Sequence, residues 1–172
     1  MSRNMKLKKA GKIGKIYVGA DHAGFTLKEK MKKWLTKEGF AVVDKGHAEL
    51  VMTDDYPDYG KKVGKAVSKG NHEGTWLQQD KGILFCGSSE GVCIVANKFR
   101  NVRAVTPTTL SETIKTREHN NSNVLCLSGW KQTPDKAKKF ILAWLDTGFG
   151  GIKRHERRVS KISKIENETM KK

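Results

Sequence analysis

The sequence predicts an α/β fold, a three-layer sandwich in which a five-stranded parallel sheet carries helices on both faces. Three observations lead there. Five short apolar runs, near 16–20, 40–43, 82–86, 103–106 and 123–127, are bounded by glycine or polar residues, as buried strands are. Stretches with helical spacing alternate with them, and strand–helix alternation makes parallel sheets. The chain has 172 residues, 37% of them hydrophobic, enough for one domain with a sizeable core.

Each element has its own signal. Ile16-Tyr17-Val18-Gly19-Ala20 is a buried strand ending at Asp21. Leu27, Met31, Trp34 and Leu35 share one helix face, and Gly39 sits where that helix would stop. Phe40-Ala41-Val42-Val43 is a second strand, and residues 45–57 are a polar loop. Tyr59, Val63, Ala66 and Val67 mark the next helix. Lys69 to Asp80 is a polar connection, long for a compact domain. Gly82-Ile83-Leu84-Phe85-Cys86 is a third strand, followed by small residues and a helix start over Val92–Asn97. Arg103-Ala104-Val105-Thr106 is a fourth strand, and Leu110–Glu118 a helix capped by Thr108 or Thr109. Asn123-Val124-Leu125-Cys126-Leu127 is the fifth strand. Ala137, Phe140, Ile141, Trp144 and Leu145 form an amphipathic helix begun by Pro134. A last helix from Lys153 carries a thinner stripe of Val159, Ile162 and Ile165.

Composition narrows the function. No run approaches 18 apolar residues, so no transmembrane helix is expected, and the basic start lacks the apolar block of a secretory signal. Three cysteines without a Cys-x-x-Cys pair argue against a disulfide framework or a zinc site, and a reducing, cytoplasmic setting is expected. The net charge is +16, of which +11 falls in residues 1–15 and 153–172. Such ends suit anionic partners, or are simply a solvated lysine-rich surface. Residues 1–14 are expected to be a disordered basic arm, 15–168 the domain and 169–172 a tail.

In parallel sheets, ligands bind at the carboxyl ends of the strands. There the chain places Asp21-His22-Ala23-Gly24, Cys86-Gly87-Ser88-Ser89-Glu90-Gly91 and the segment after Arg103. Cys86 reads either as a packed strand residue or as a thiol beside an anion-friendly turn, which would lower its pKa and make it a base or nucleophile. Cys93 and Cys126 read as core. Asp21 and His22 read as substrate contacts or as a helix cap. His119 could be an acid/base or an ordinary helix-terminal residue. Arg154 and Arg158, one turn apart with His155 between, suit a phosphate or a solvated basic face. Glu90 is a second acid/base or a first-turn residue favoured by the helix dipole.

The ordered set Gly19-Ala20-Asp21-His22-Ala23-Gly24-Phe25, Asp55-Tyr56-Pro57, Ile83-Leu84-Phe85-Cys86-Gly87-Ser88, Ala96-Asn97-Lys98, Val102-Arg103-Ala104-Val105, Glu118-His119-Asn120 and Arg154-His155-Glu156-Arg157-Arg158 resembles the type B ribose-5-phosphate isomerases. The related galactose-6-phosphate isomerase subunits share that superfamily. The resemblance implies a Rossmann-like subunit, a homodimer or dimer of dimers with the active site at the subunit interface, and aldose–ketose isomerisation of a sugar phosphate in the pentose phosphate pathway with no metal or cofactor. It implies Cys86 as the base, Ser88 with the Gly87–Gly91 amides as the oxyanion site, and Asp21 handling a hydroxyl proton. His22 and Tyr56 would line the pocket. His119 would open the sugar ring with Asn120 beside it, both reaching in from the partner subunit, and Arg154, His155 and Arg158 would hold the phosphate.

Departures are visible too. Ser89 replaces a glycine that demands φ > 0, Glu90 adds a charge expected to raise the thiol pKa, and the glutamate that some members use as base falls at Val92. Trp130 stands where many members have a phosphate-reaching arginine, next to Lys131. The stretches 47–53 and 70–80 look altered. Isomerases of galactose 6-phosphate or allose 6-phosphate are the alternative within the class. A nucleic-acid binder using the basic termini is the alternative outside it, disfavoured by the lack of aromatics near those termini.

Overall fold

The computed structural model describes residues 13–170; residues 1–12 of the basic arm and the last two of the tail lie outside the described residues. Five parallel strands, β1 (Lys15–Ala20), β2 (Ala41–Asp44), β3 (Lys81–Cys86), β4 (Ala104–Val105) and β5 (Val124–Ser128), are ordered β2-β1-β3-β5-β4. Six helices connect and flank them: α1 (His22–Lys37), α2 (Tyr56–Ser68), α3 (Glu90–Ala96), α4 (Leu110–Asn120), α5 (Pro134–Asp146) and α6 (Lys153–Thr169). The register sets Ala20 beside Phe85 and Cys86 beside Ser128, so the carboxyl ends of β1, β3 and β5 finish together. The fold is the expected Rossmann-like three-layer α/β sandwich. Fitting the stripes read in the sequence, Leu27, Met31 and Leu35 of α1 and Phe140, Ile141 and Trp144 of α5 bury one face of the sheet. Tyr59, Val63 and Val67 of α2 and Val92, Cys93 and Ala96 of α3 bury the other.

The helix boundaries follow local chemistry. Asp21 caps α1, its Oδ1 accepting from Gly24 N at 2.9 Å. Gly39 takes φ 92° just past α1, a left-handed turn that glycine adopts without a Cβ penalty. Thr109, one of the two expected caps, closes a capping box with Glu112. Pro134 opens α5 behind Thr133. Among the described residues, no helix is long and apolar enough to cross a membrane.

Most element ends shift by a residue or two, and the two ends of the domain and β4 also differ from expectation. Ile13 and Gly14 belong to the body rather than to the arm: Ile13 packs on the core and Gly14 N donates to Leu77 O at 2.9 Å. At the other end Thr169 still belongs to α6, and Met170 O accepts from Arg100 at 3.1 Å. β4 shrinks to two residues because it is an edge strand whose neighbours Arg103 and Thr106 are taken by other partners. The polar 69–80 connection is anchored by Trp76, whose Nε1 donates to Trp144 O at 3.2 Å and whose ring meets Trp144 edge-on at 5.0 Å.

Beside Trp76 lie two buried cations. Lys81 Nζ sits 4.5 Å from the centre of the Trp76 ring, and the Arg117 guanidinium sits 3.4 Å from it. Arg117 is satisfied by Thr147 O at 3.1 Å, at the C-cap of α5, and by Asn121 Oδ1 at 2.9 Å and Ser122 O, just past the negative end of α4. Burial, then the Arg117 charge, pushes the Lys81 ammonium down to about 7, against 10.5 ordinarily. A depressed amine binds its proton more weakly folded than unfolded, so folding loses stability as pH falls from above 10.5 toward 7. Urea midpoints should therefore rise between pH 7 and pH 10, and Lys81→Met should flatten that rise.

Candidate active site

The carboxyl ends of β1 and β3 form the crevice where the chain turns to opposite faces of the sheet, α1 covering one and α3 the other. Here Cys86 Sγ donates to Asp21 Oδ2 at 2.8 Å, both residues buried. The two readings of Asp21 are both realised: one carboxylate oxygen caps α1 and the other takes the thiol. The backbone amides of Gly87 and Ser89 also point at the sulfur. They do not win. Burial first, then the Asp21 hydrogen bond and charge, push the thiol up to about 12, against 9.0 ordinarily. This corrects the expectation of a thiol acidified by its turn. It also relocates the cause of the rise, which is burial and Asp21 rather than Glu90, an exposed first-turn residue of α3.

The turn itself carries stored strain. Ser89 has φ 76°, the left-handed conformation expected where glycine would serve. Its hydroxyl is tied to Ser88 O and to Thr106 Oγ1 beyond β4, which holds the conformation in place. Ser88 Oγ accepts from Glu90 N at 3.3 Å and lines a cavity of about 90 Å³ with Thr106, Thr108, Ser128, Lys131, Gln132 and Lys136. The ring of Tyr56 lies on Gly91, so close that a Cβ there would come within 2.7 Å of Cε2.

His22 is fixed by Asp54, which accepts from its backbone N at 3.0 Å and holds its Nδ1 at 2.8 Å. That hydrogen bond raises the imidazole pKa above 6.5 and fixes Nδ1 as the donor. Asp54 also takes the hydroxyl of Tyr59, whose pKa rises. Sequence reading missed Asp54 and Thr106. Asp54 was hidden in a polar loop whose neighbours Asp55 and Tyr56 drew the attention, and Thr106 looked like the end of a strand.

The remaining predicted residues lie elsewhere. α4 runs away from the carboxyl edge, and its eleven residues place its far end roughly 16 Å along the axis. There His119 stacks on His155 at 4.3 Å between ring centres. Arg154 Nε donates to His155 Nε2 at 3.2 Å. His155 is 2% exposed, so it backs Arg154 rather than facing a ligand, and its Nδ1 has no hydrogen-bond partner among the described residues. Burial, then the neighbouring His119 and Arg154, hold its pKa below 6.5. Arg154 and Arg158 are exposed. Beside His119 opens a cavity of about 580 Å³ lined by Glu118, Thr147, Phe149 and Ile152. Asn120, placed beside His119 by sequence, instead lines the groove between β4 and α6 with Arg103, Ile162 and Ile165. One chain thus gathers Asp21, His22, Tyr56, Cys86, Gly87, Ser88 and Gly91 at one sheet edge, and His119, Arg154, His155 and Arg158 at the other. Cys93 and Cys126 are buried free thiols of the core, as read.

Comparison with known proteins gives the family and the fold. The family model described as Ribose/Galactose Isomerase matches residues 16–162. The chain is similar to ribose-5-phosphate isomerase B of Escherichia coli, 38% identical over 88% of this chain and 96% of that one. It is also similar to a D-erythrulose-4-phosphate isomerase of Pectobacterium atrosepticum, 34% identical over 79% of this chain and 85% of that one. The crystal structure of ribose-5-phosphate isomerase B from Mycoplasma genitalium with bound ribulose-5-phosphate superposes with a TM-score of 0.83, at 37% identity, covering 92% of this chain and 99% of that one.

The Asp21 charge is the removable part of the thiol's elevation. Asp21→Asn, which keeps a capping oxygen, should speed iodoacetamide alkylation of Cys86 at pH 8 by at least about tenfold. Peptide mapping assigns the label, and an unchanged rate would refute the electrostatic account.

Proposed function

The chain belongs to the ribose/galactose isomerase family, and from that premise we propose that it interconverts ribose 5-phosphate and ribulose 5-phosphate through an enediolate, with Cys86 as the base. One observation carries the reading: the 2.8 Å hydrogen bond from the Cys86 thiol to Asp21, above a turn of inward-pointing amides. Aldose–ketose isomerisation moves one proton from C2 to C1 and another from O2 to O1, and needs no external oxidant or reductant. The thiol proton passes to Asp21, and the thiolate takes the proton from C2. The C–H electron pair becomes the C1–C2 double bond as the carbonyl pair moves onto O1. The Gly87 and Ser89 amides and the Ser88 hydroxyl receive the charge there, until Asp21 delivers its proton to O1. Asp21 then accepts the O2 proton as the C2 carbonyl forms, and Cys86 returns its proton to C1. The thiolate regains the proton held by Asp21, and the pair is restored.

The phosphate-holding arginines and the ring-opening histidine come from a second copy. His119, Arg154 and Arg158 sit at the sheet edge remote from Cys86, so a twofold dimer that sets one chain's carboxyl edge against the other's far edge completes two sites. His155 supports Arg154 from behind.

The first test is conversion of ribose 5-phosphate by the purified protein with a chelator present. Turnover is expected, and Cys86→Ala should lower it by roughly 10²- to 10⁴-fold while circular dichroism is unchanged. A second reading, suggested by the Pectobacterium relative, is a four-carbon substrate: turnover of erythrulose 4-phosphate in place of ribose 5-phosphate would move the assignment. The dimer has its own test. Cys86→Ala and His119→Asn should each be strongly impaired alone. Unfolded together and refolded as a mixture, they should recover about a quarter of wild-type activity, since half of randomly paired dimers are mixed and each holds one intact site. No recovery would refute the shared site.

A further inference from the structure

Trp130 is the most exposed large apolar side chain among the described residues, at 73%. Its position is not loose. Trp130 lies in the turn between β5 and α5, where Gly129 N donates to Cys86 O at 2.8 Å and Trp130 N to Gly87 O at 3.3 Å. Ser128 Oγ donates to the same Gly87 carbonyl. The six-membered part of the indole lies directly on Gly87, so close that any Cβ there would collide with Cζ2 and Cε2 and stand 2.9 Å from Cη2. An indole thus rests its edge on the residue after the catalytic thiol and shows the rest of its surface to solvent. Leaving that area in water forfeits burial, and the fold gains nothing visible from it.

Resting on the isomerase reading above, we infer that Trp130 is the wall of the sugar subsite, its indole packing against the C–H face of the sugar-phosphate carbon chain whose reacting end lies at Cys86. Carbon-bound hydrogens carry slight positive charge and suit the negative face of an aromatic ring. The indole is uncharged and makes this contact alike in bound substrate and transition state, so it acts through binding rather than turnover.

Trp130→Ala should raise KM for ribose 5-phosphate about tenfold and leave kcat within about twofold, and Trp130→Phe should restore most of the loss. Of the four tryptophans, Trp144 is fully buried, so ribose 5-phosphate should change the wild-type emission saturably and leave that of Trp130→Phe unchanged. An unaltered KM together with an unaltered emission response overturns the inference. So does a raised KM accompanied by a lower mass in light scattering, which would place the indole between two copies. If the wild type turns over no sugar phosphate, the reaction assigned above falls; a saturable emission change that Trp130→Phe abolishes would still support the wall.

Discussion

The hydrogen bond between Cys86 and Asp21 organises the rest of the molecule. It spans the ends of two neighbouring parallel strands, and its acceptor is at once the cap of α1. Moving either partner would disturb a helix, a strand pair and a charge together. The register that ends β1, β3 and β5 at one level is what permits a 2.8 Å contact there. The close seat of Gly24 against the Phe85–Cys86 backbone holds the start of α1 over it. Dry surroundings make the contact strong, and the same dryness keeps the thiol protonated in the resting protein.

Burial of charge recurs as a theme, with a different solution each time. Lys28 is fully buried, yet Asp44 at 3.0 Å, Glu29 at 2.9 Å and the His47 carbonyl at 2.8 Å surround its ammonium. Through Asp44 and His47 it ties the end of β2 and the following loop to α1. Arg117 instead uses carbonyls at the C-terminal ends of α4 and α5, and burial pushes it down to about 9. Lys81 has a carbonyl partner in Gln79 and the Trp76 ring, and burial depresses its ionisation as well. Paired, dipole-stabilised and barely compensated cations thus coexist in one domain, and the two depressed ones make stability sensitive to alkaline pH.

Much of this was legible in the sequence because it rests on local chemistry. The stripes Leu27, Met31, Leu35 and Phe140, Ile141, Trp144 are periodic, and periodicity reads directly as a buried helix face. Cys86 was visible as a strand-end thiol before a small-residue turn, and the φ of Ser89 followed from a missing glycine. What stayed hidden depends on approach through space. The direction of the thiol's shift turns on Asp21, 65 residues away, and on how dry the crevice is. Asp54 and Thr106 act through partners 32 and 17 residues distant. The separation of His119 from Cys86 follows from the direction of α4, which spacing along the chain does not reveal. The slender stripe of α6 was read correctly as thin: Ile162 and Ile165 remain exposed.

The double use of Asp21 makes a backbone group a witness to the chemistry. Gly24 N–H donates to one oxygen of the carboxylate whose other oxygen holds the thiol proton. Whenever that proton crosses from sulfur to carboxylate, electron density leaves the oxygen that Gly24 sees, and the capping bond weakens. The first turn of α1 therefore loosens and tightens with each proton transfer. Its amide resonance registers the ionisation of the buried sulfur through the backbone.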